Sequence, residues 1–486
     1  MIFNGKRIGF LLGPLSFFII LFLFNVDGLS NEGKATLATA AWISIWWITE
    51  AIPISATALL PFVLFPLTGV MSVKDTAGAF ANQMIFLFLG GFIIAVAIEK
   101  TNLHKRIALN IINAIGSNWN KVILGFMIAT AFLSMWISNT ATAVMMLPIG
   151  LAVISQINAE EALQKKMGIS LMLSIAYGCS IGGIATIIGT PTNVIFVGIA
   201  EDLYGESITF AQWMLLGLPF SMVMLLLGWL YLTKVVFKEK VEGIPGGKNA
   251  IKAQLKALGK IKYEELMALI VFAVVASLWI CSSFLLKKLL PGINDTLIAI
   301  VGALALFIIP SKRGRQSGII DWKTAETIPW GILLLFGGGL ALAEGFKTSG
   351  LAEWIGNQLT LFEVFPAILL VLAIIIVVNF LTEITSNVAT AAMLMPVLAA
   401  LAITIDVHPY FLMIATTIAA SCAFMLPVAT PPNAVVFGSG LLTIPKMIKA
   451  GLWMNLISII IATVIVYFLL PLVWGLEISS FPNGFK

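Results

Sequence analysis

Apolar runs of about 17–25 residues recur along this chain, and as helices they match the hydrocarbon thickness of a bilayer. They read as spans near 8–24, 36–53, 54–70, 84–100, 168–200, 210–237, 263–285, 294–310, 329–345, 409–440 and 450–475. Two further stretches, 122–155 and 364–404, are long enough to go in and come back. Hydrophobic residues are 60% of the 486 and charged ones 10%, a balance that no soluble core needs. An outer-membrane barrel would show short alternating segments instead of long unbroken runs. The first run follows Lys6 and Arg7 without a small-residue cleavage site before Asp27, which predicts a retained helix. The expected class is an all-α polytopic membrane protein.

The net charge of +5 reports topology and not affinity for nucleic acid, because Lys and Arg sit between the spans. Lys6 and Arg7, His104 to Arg106, the eight lysines from Lys234 to Lys262, Lys312 with Arg313 and Arg315, and Lys446 with Lys449 should all be cytoplasmic. Eleven spans with a cytoplasmic N-terminus satisfy every cluster, provided 122–155 and 364–404 are re-entrant hairpins that do not cross. The C-terminus then falls outside, and a multi-pass protein of the plasma (inner) membrane is expected.

Three blocks occur twice in the same order. "IFLFLGGFIIAVAIEKT" from Ile85 aligns with "ILLLFGGGLALAEGFKT" from Ile332, offset by 247. "SNTATAVMMLP" from Ser138 aligns with "SNVATAAMLMP" from Ser386, offset by 248, and "GTPTNVIFVG" from Gly189 with "ATPPNAVVFG" from Ala429, offset by 240. By the charge map the first hairpin opens inward and the second outward, so the repeats are inverted. Inverted repeats with interrupted helices mark secondary transporters. The segment 238–262, rich in Lys and carrying Gly243, Pro245, Gly246 and Gly247, reads as the cytoplasmic linker between the halves.

A helix that stops inside a bilayer leaves backbone groups that hydrocarbon cannot satisfy, so the break must be buried in protein or face water. Ser-Asn-Thr at 138–140 can cap both half-helices at a hairpin tip. Gly-Thr-Pro-Thr-Asn (189–193) and Ala-Thr-Pro-Pro-Asn (429–433) read as breaks, since Pro lacks a donor and clashes with the preceding turn. Taken singly, such residues merely bond within a helix or kink it. Duplicated clusters instead predict one central site where both tips meet both breaks, with helix N-termini facing an anion and unwound carbonyls and hydroxyls facing a hard cation.

Other chemistries lack residues. Cys179, Cys281 and Cys422 are widely spaced in apolar segments, and the two histidines, His104 and His408, support no zinc or haem set. An enzyme would want a nucleophile–base pair or a metal cluster, and neither has supporting spacing. The four arginines, Arg7, Arg106, Arg313 and Arg315, all fall in cytoplasmic segments, so neutral donors and co-bound cations would hold an anionic substrate. Lys100 and Lys347 end spans, where snorkelling to the interface is expected. Glu50 and Glu383 lie in apolar sequence, where an ionised carboxylate is costly; they would either carry protons or structure a break through hydrogen bonds, and the structural role is the one expected. His104 sits in an amphipathic stretch expected to lie along the cytoplasmic face, with its repeat partner from Ser349 along the outer face.

The duplicated Ser-Asn-Thr tips and Thr-Pro-x-Asn breaks, with "WWITEAIPISATALLP" and "WGILLLFGGGLALA", resemble the divalent anion:sodium symporter family, the di- and tricarboxylate transporters. The resemblance covers nearly the whole chain. It implies a homodimer in the lipid bilayer, each protomer pairing a scaffold with a transport domain that moves like an elevator. The implied map is a first helix and external loop (1–35), scaffold 36–118, transport hairpin and broken helix 122–237, linker 238–262, scaffold 263–360 and a second transport unit 364–486; the halves are 36–237 and 263–486. The substrate site would draw on Ser138, Asn139, Thr140, Thr190, Ser386, Asn387, Val388 and Thr430. Possible sodium sites would use Ser134, Ser138, Asn139 and the Gly189 region, and Thr382, Ser386, Asn387 and the Ala429 region. Val388 departs from the usual Thr, removing one hydroxyl. Sodium symport of C4–C5 dicarboxylates is the family default; sodium-independent dicarboxylate exchange and an anion-selective channel are the alternatives. Sodium is the expected coupling ion, and no organic cofactor is expected.

Overall fold

The structure is a computed structural model describing residues 2–116, 118–157, 160–237, 247–282, 292–312, 318–359, 365–478 and 480–485, with Leu286, Lys288 and Leu290 between. Arg313 and Arg315 and the linker positions 238–246 lie outside the described residues. Among the described residues secondary structure is helical, apart from one isolated bridge between Pro310 and Gly318. Eight of these helices are long and apolar enough to cross a membrane, and six more are apolar but shorter. The exterior suits lipid: Leu23, Leu67, Ile308 and Leu472 are 76–80% exposed. Water would penalise such apolar surface, whereas hydrocarbon does not.

Several expected spans are shifted or broken. The second begins at Asn31, where Ser30 accepts a hydrogen bond from Gly33 N–H and caps the helix Asn31–Thr49. The third divides into Ile54–Thr57 and Leu60–Thr68, because Pro53 and Pro61 start each piece. The stretch 122–155 is two helices, Trp119–Ser134 and Asn139–Ser155, and 364–404 is Ala367–Leu381 and Asn387–Thr404. The first arms pack mainly on the broken helix of their own half: Trp119–Ser134 lies along Glu161–Ile184, and Ala367–Leu381 along Pro409–Ser421. The second arms also reach across. Asn139–Ser155 packs on Pro431–Phe437, and Asn387–Thr404 packs on Pro191–Tyr204. Each hairpin therefore touches the broken helix of the opposite half.

Two expectations need correcting. Glu50 is not in apolar surroundings: it is exposed, turns the chain with φ +46° after Asn31–Thr49, and pairs with Lys6 at 3.5 Å. Residues 238–262 are not all linker, since Gly247–Leu258 is a helix. Ile251, Leu255 and Leu258 recur at helical spacing, and that stripe docks the helix against Leu103–Ile115 and Asn139–Ser155. The lysines had masked an amphipathic segment.

The helix Leu103–Ile115 carries the expected amphipathic stretch, and His104 is buried on its packed face with Nδ1 3.0 Å from the Ile98 carbonyl. Its repeat partner is the helix Leu351–Gln358. Lys100 pairs with Asp321 at 3.0 Å, and Lys347 donates to the Asp202 and Leu203 carbonyls. Arg106 holds Glu265 through two nitrogens and donates to the Gly259 carbonyl at 3.0 Å, tying the amphipathic helix to the second half. Glu265 is buried, so Arg106→Ala should cost about 2–3 kcal/mol by leaving its carboxylate unpaired. The swapped pair Arg106→Glu with Glu265→Arg should recover part of that loss in a thermal-unfolding measurement.

Candidate functional site

The two tips are built alike. In the first half Ser134 ends one arm, and its hydroxyl donates to Asn139 Oδ1 and lies 2.8 Å from the Cys179 carbonyl. In the second, the Thr382 hydroxyl is 2.6 Å from Asn387 Oδ1 and 3.0 Å from the Ala420 carbonyl. A hydroxyl one turn before the tip thus fixes the Asn in both halves and anchors it to the neighbouring broken helix. Ser138 caps Asn139–Ser155 by accepting from Ala141 N–H at 3.3 Å. Ser386 makes no such side-chain cap; the hydroxyls of Thr385 and Thr390, 2.6 Å apart, brace that tip instead.

The breaks also match. Thr190 and Thr430 are both extended (φ −141°, ψ 142° and φ −139°, ψ 147°) and are followed by Pro at the first position of a new helix. The preceding helix ends leave carbonyls exposed, and the motif asparagines take them up. Asn193 Nδ2 donates to the Thr186 carbonyl at 2.7 Å and reaches those of Gly183 and Ile184. Asn433 Nδ2 donates to the Leu426 and Ala423 carbonyls at 3.0 and 3.2 Å. Thr192 and Ser421 join the two broken regions across the molecule through hydroxyls 2.6 Å apart.

The halves differ in how the tip is tied to the break. Thr186 Oγ1 donates to the Met135 carbonyl at 2.5 Å in the first. In the second, Glu383, aligned with Met135, accepts from the backbone N–H groups of Phe424, Met425 and Leu426 and from Asn455 Nδ2 at 2.7–3.2 Å. Glu383 is thus a buried anchor of the second break.

The expected residues are only partly gathered. Ser134, Asn139 and Gly189 converge: a Cβ added to Gly183 would lie 2.8 Å from Asn139 Oδ1 and 3.0 Å from the Gly189 carbonyl. Thr382 and Asn387 are joined directly, while Ala429 sits under the break with its N–H on the Leu426 carbonyl at 3.2 Å. Ser138 and Thr140 line a cavity of about 1110 Å³. Thr190 and Thr430 are buried, and neither they nor Ser386, Asn387 and Val388 line that cavity. Sequence reasoning did not assign roles to Asn193, Asn433 or the Thr192–Ser421 link; the asparagines stood in plain view at the end of the duplicated motif.

Among the described residues no group of three His, Cys, Asp or Glu is placed to hold a metal. The donors at the tips are hydroxyl, amide and carbonyl oxygens, a neutral hard set suited to an alkali cation.

Known proteins resemble the chain in sequence and in fold. The chain is 48% identical to the sodium-dependent dicarboxylate transporter SdcS of Staphylococcus saprophyticus over 485 residues, 98% of this chain and 93% of that one. It is 48% identical to SdcS of Staphylococcus aureus over 98% of this chain and 94% of the relative. In fold it is similar to MtrF of Neisseria gonorrhoeae (TM-score 0.59, 14% identity, 93% of this chain and 96% of that one). It is likewise similar to the YdaH transporter of Alcanivorax borkumensis (TM-score 0.60, 16% identity, 91% and 98%). Residues 7–475 match the sodium:sulfate symporter transmembrane region. With its all-helical build, duplicated tips and near full-length relatives, the chain belongs to the divalent anion:sodium symporter family, a family of membrane transporters and not of enzymes.

Proposed function

We propose that the chain is a sodium-coupled secondary transporter of C4–C5 dicarboxylates, the class of succinate, malate, fumarate and 2-oxoglutarate. The observation that carries this reading is the matched pair Ser134–Asn139 and Thr382–Asn387, each set against a carbonyl of a broken helix. In this reading sodium is cargo held by Ser134, Ser138, Asn139 and Gly189 in one half and by Thr382, Ser386, Asn387 and Ala429 in the other. The dianion lies between the tips against Ser138, Asn139, Thr140, Thr190, Ser386, Asn387, Val388 and Thr430. Its carboxylates face the N-termini of Asn139–Ser155, Asn387–Thr404 and Pro191–Tyr204, where free N–H groups and helix dipoles favour negative charge. Among the described residues Arg106 is committed to Glu265, so co-bound cations are needed to offset the dianion.

The sodium-dependent dicarboxylate relatives support both the ion and the substrate class. The cross-packed second arms support movement of hairpins and broken helices as one body against the remaining helices, an elevator with inverted halves. A homodimer in the plasma membrane, with the Lys105 end of the cavity at the cytoplasmic face, completes the proposal.

Val388→Thr restores a hydroxyl at the second tip. Such a bond is worth about 0.5–1.5 kcal/mol, so preference among dicarboxylates should shift by roughly two- to tenfold in competition against labelled succinate. Ligand linkage tests the main reading, because a ligand stabilises only the state that binds it. Succinate should raise the melting temperature of purified protein in sodium and not in choline. Equal shifts in both salts would overturn the coupling, and no shift with any dicarboxylate in sodium would overturn the substrate class.

A further inference from the structure

The cavity of about 1110 Å³ is lined by Ser138 and Thr140 of the first tip and also by Asn102, Lys105 and Gln254. Glu99 lines the same wall, so a dianion moving through it meets a carboxylate unless a cation compensates. Most nearby basic groups are committed. Arg106 holds Glu265, and Lys100 holds Asp321. His104 also faces the cavity, but burial pulls its pKa below the ordinary value, and the imidazole is neutral at pH 7. Lys105 is exposed and has no hydrogen-bond or ion-pair partner among the described residues.

One wall is the helix Gly247–Leu258, held by the apolar stripe that includes buried Ile251. That docking fixes the register which puts Gln254 on the cavity, while Lys252 and Lys256 of the same helix are exposed and do not line it. From this geometry we propose that Lys105, with Asn102 and Gln254, forms an outer subsite that recruits the dicarboxylate dianion before it reaches the first tip. The proposal rests on the dicarboxylate reading above and adds a specificity-determining cation to it. A single positive charge in a cleft with low-dielectric walls raises the local concentration of an anion, and added salt screens that effect.

Succinate uptake in membrane vesicles of both orientations tests the subsite. Lys105→Gln should raise KM about three- to tenfold at low ionic strength on the face that carries Lys105, with Vmax unchanged. The increase should shrink towards unity as choline chloride is added, and Lys105→Arg should keep the wild-type KM. Gln254→Glu should raise KM on the same face, and Lys256→Gln should leave it unchanged. Equal shifts in Lys105→Gln and Lys256→Gln would reduce the effect to net charge and overturn the subsite. An unchanged KM in Lys105→Gln, or an equal rise on both faces, would also overturn it. Failure of the underlying reading is visible separately, as wild-type vesicles without saturable uptake of any dicarboxylate.

Discussion

Asn139→Ala and Asn387→Ala should each lower succinate uptake by roughly a hundredfold or more while leaving the protein folded. Each asparagine presents Oδ1 to a hydroxyl one turn back, and that hydroxyl is bonded to a carbonyl of the adjacent broken helix. In the proposed site alanine removes an oxygen that the cation would share with the tip hydroxyl, and hydrogen bonds to charged groups are worth about 1.5–3 kcal/mol each. Losing one at the cation and one at the dianion accounts for a hundredfold effect. Both asparagines are only half-buried, so truncation should shift the melting temperature little. The measurement is initial uptake in proteoliposomes, paired with thermal unfolding of the same preparation. Near-normal uptake by either variant would remove that Asn from the site.

Glu383→Ala should be the most damaging single change to stability. Its carboxylate accepts from three consecutive backbone N–H groups, Phe424, Met425 and Leu426, and from Asn455 Nδ2. Alanine orphans the Met425 and Leu426 N–H groups and Asn455 Nδ2, while Phe424 N–H keeps Asn455 Oδ1 at 3.2 Å; each buried unsatisfied group costs about 1–3 kcal/mol, so a loss on the order of 5 kcal/mol is expected. Glu383→Gln keeps a carbonyl oxygen for part of the set and should lose less. Met135→Ala, at the aligned position, should be mild because the first break is closed by Thr186 on the Met135 backbone carbonyl. Yield of monodisperse protein and its melting temperature check the series. A Glu383→Ala protein as stable as wild type would show that the second break does not depend on the carboxylate.

Much of this was legible because the constraints were local or periodic. Apolar runs reveal helices since lipid leaves the backbone no partner but itself. The breaks at 189–193 and 429–433 were readable because Thr-Pro-x-Asn recurs in both halves; proline alone does not mark a break, since Pro148, Pro219 and Pro396 lie inside continuous helices. Long-range pairing was not readable. Nothing in the order of residues says that Thr192 meets Ser421, or that Glu383 turns towards residues 424–426 while Glu50 turns outward to Lys6. Both glutamates follow Thr in apolar sequence, and only packing separates them. The helix Gly247–Leu258 was hidden because its stripe of Ile251, Leu255 and Leu258 is narrow and flanked by lysines. At the site, both asparagines were marked by repetition, whereas the relation of Thr190 and Thr430 to the cavity depended on tertiary placement.

In the proposed mechanism the matched tips couple sodium to a dicarboxylate. Purified protein in liposomes tests it through uptake of labelled succinate, with an inward sodium gradient in one arm and internal dicarboxylate without sodium in the other. Concentrative uptake is expected in the first arm, lost when choline replaces sodium, and none is expected in the second. Uptake that needs only internal dicarboxylate, or flux without saturation or counterflow, would contradict it.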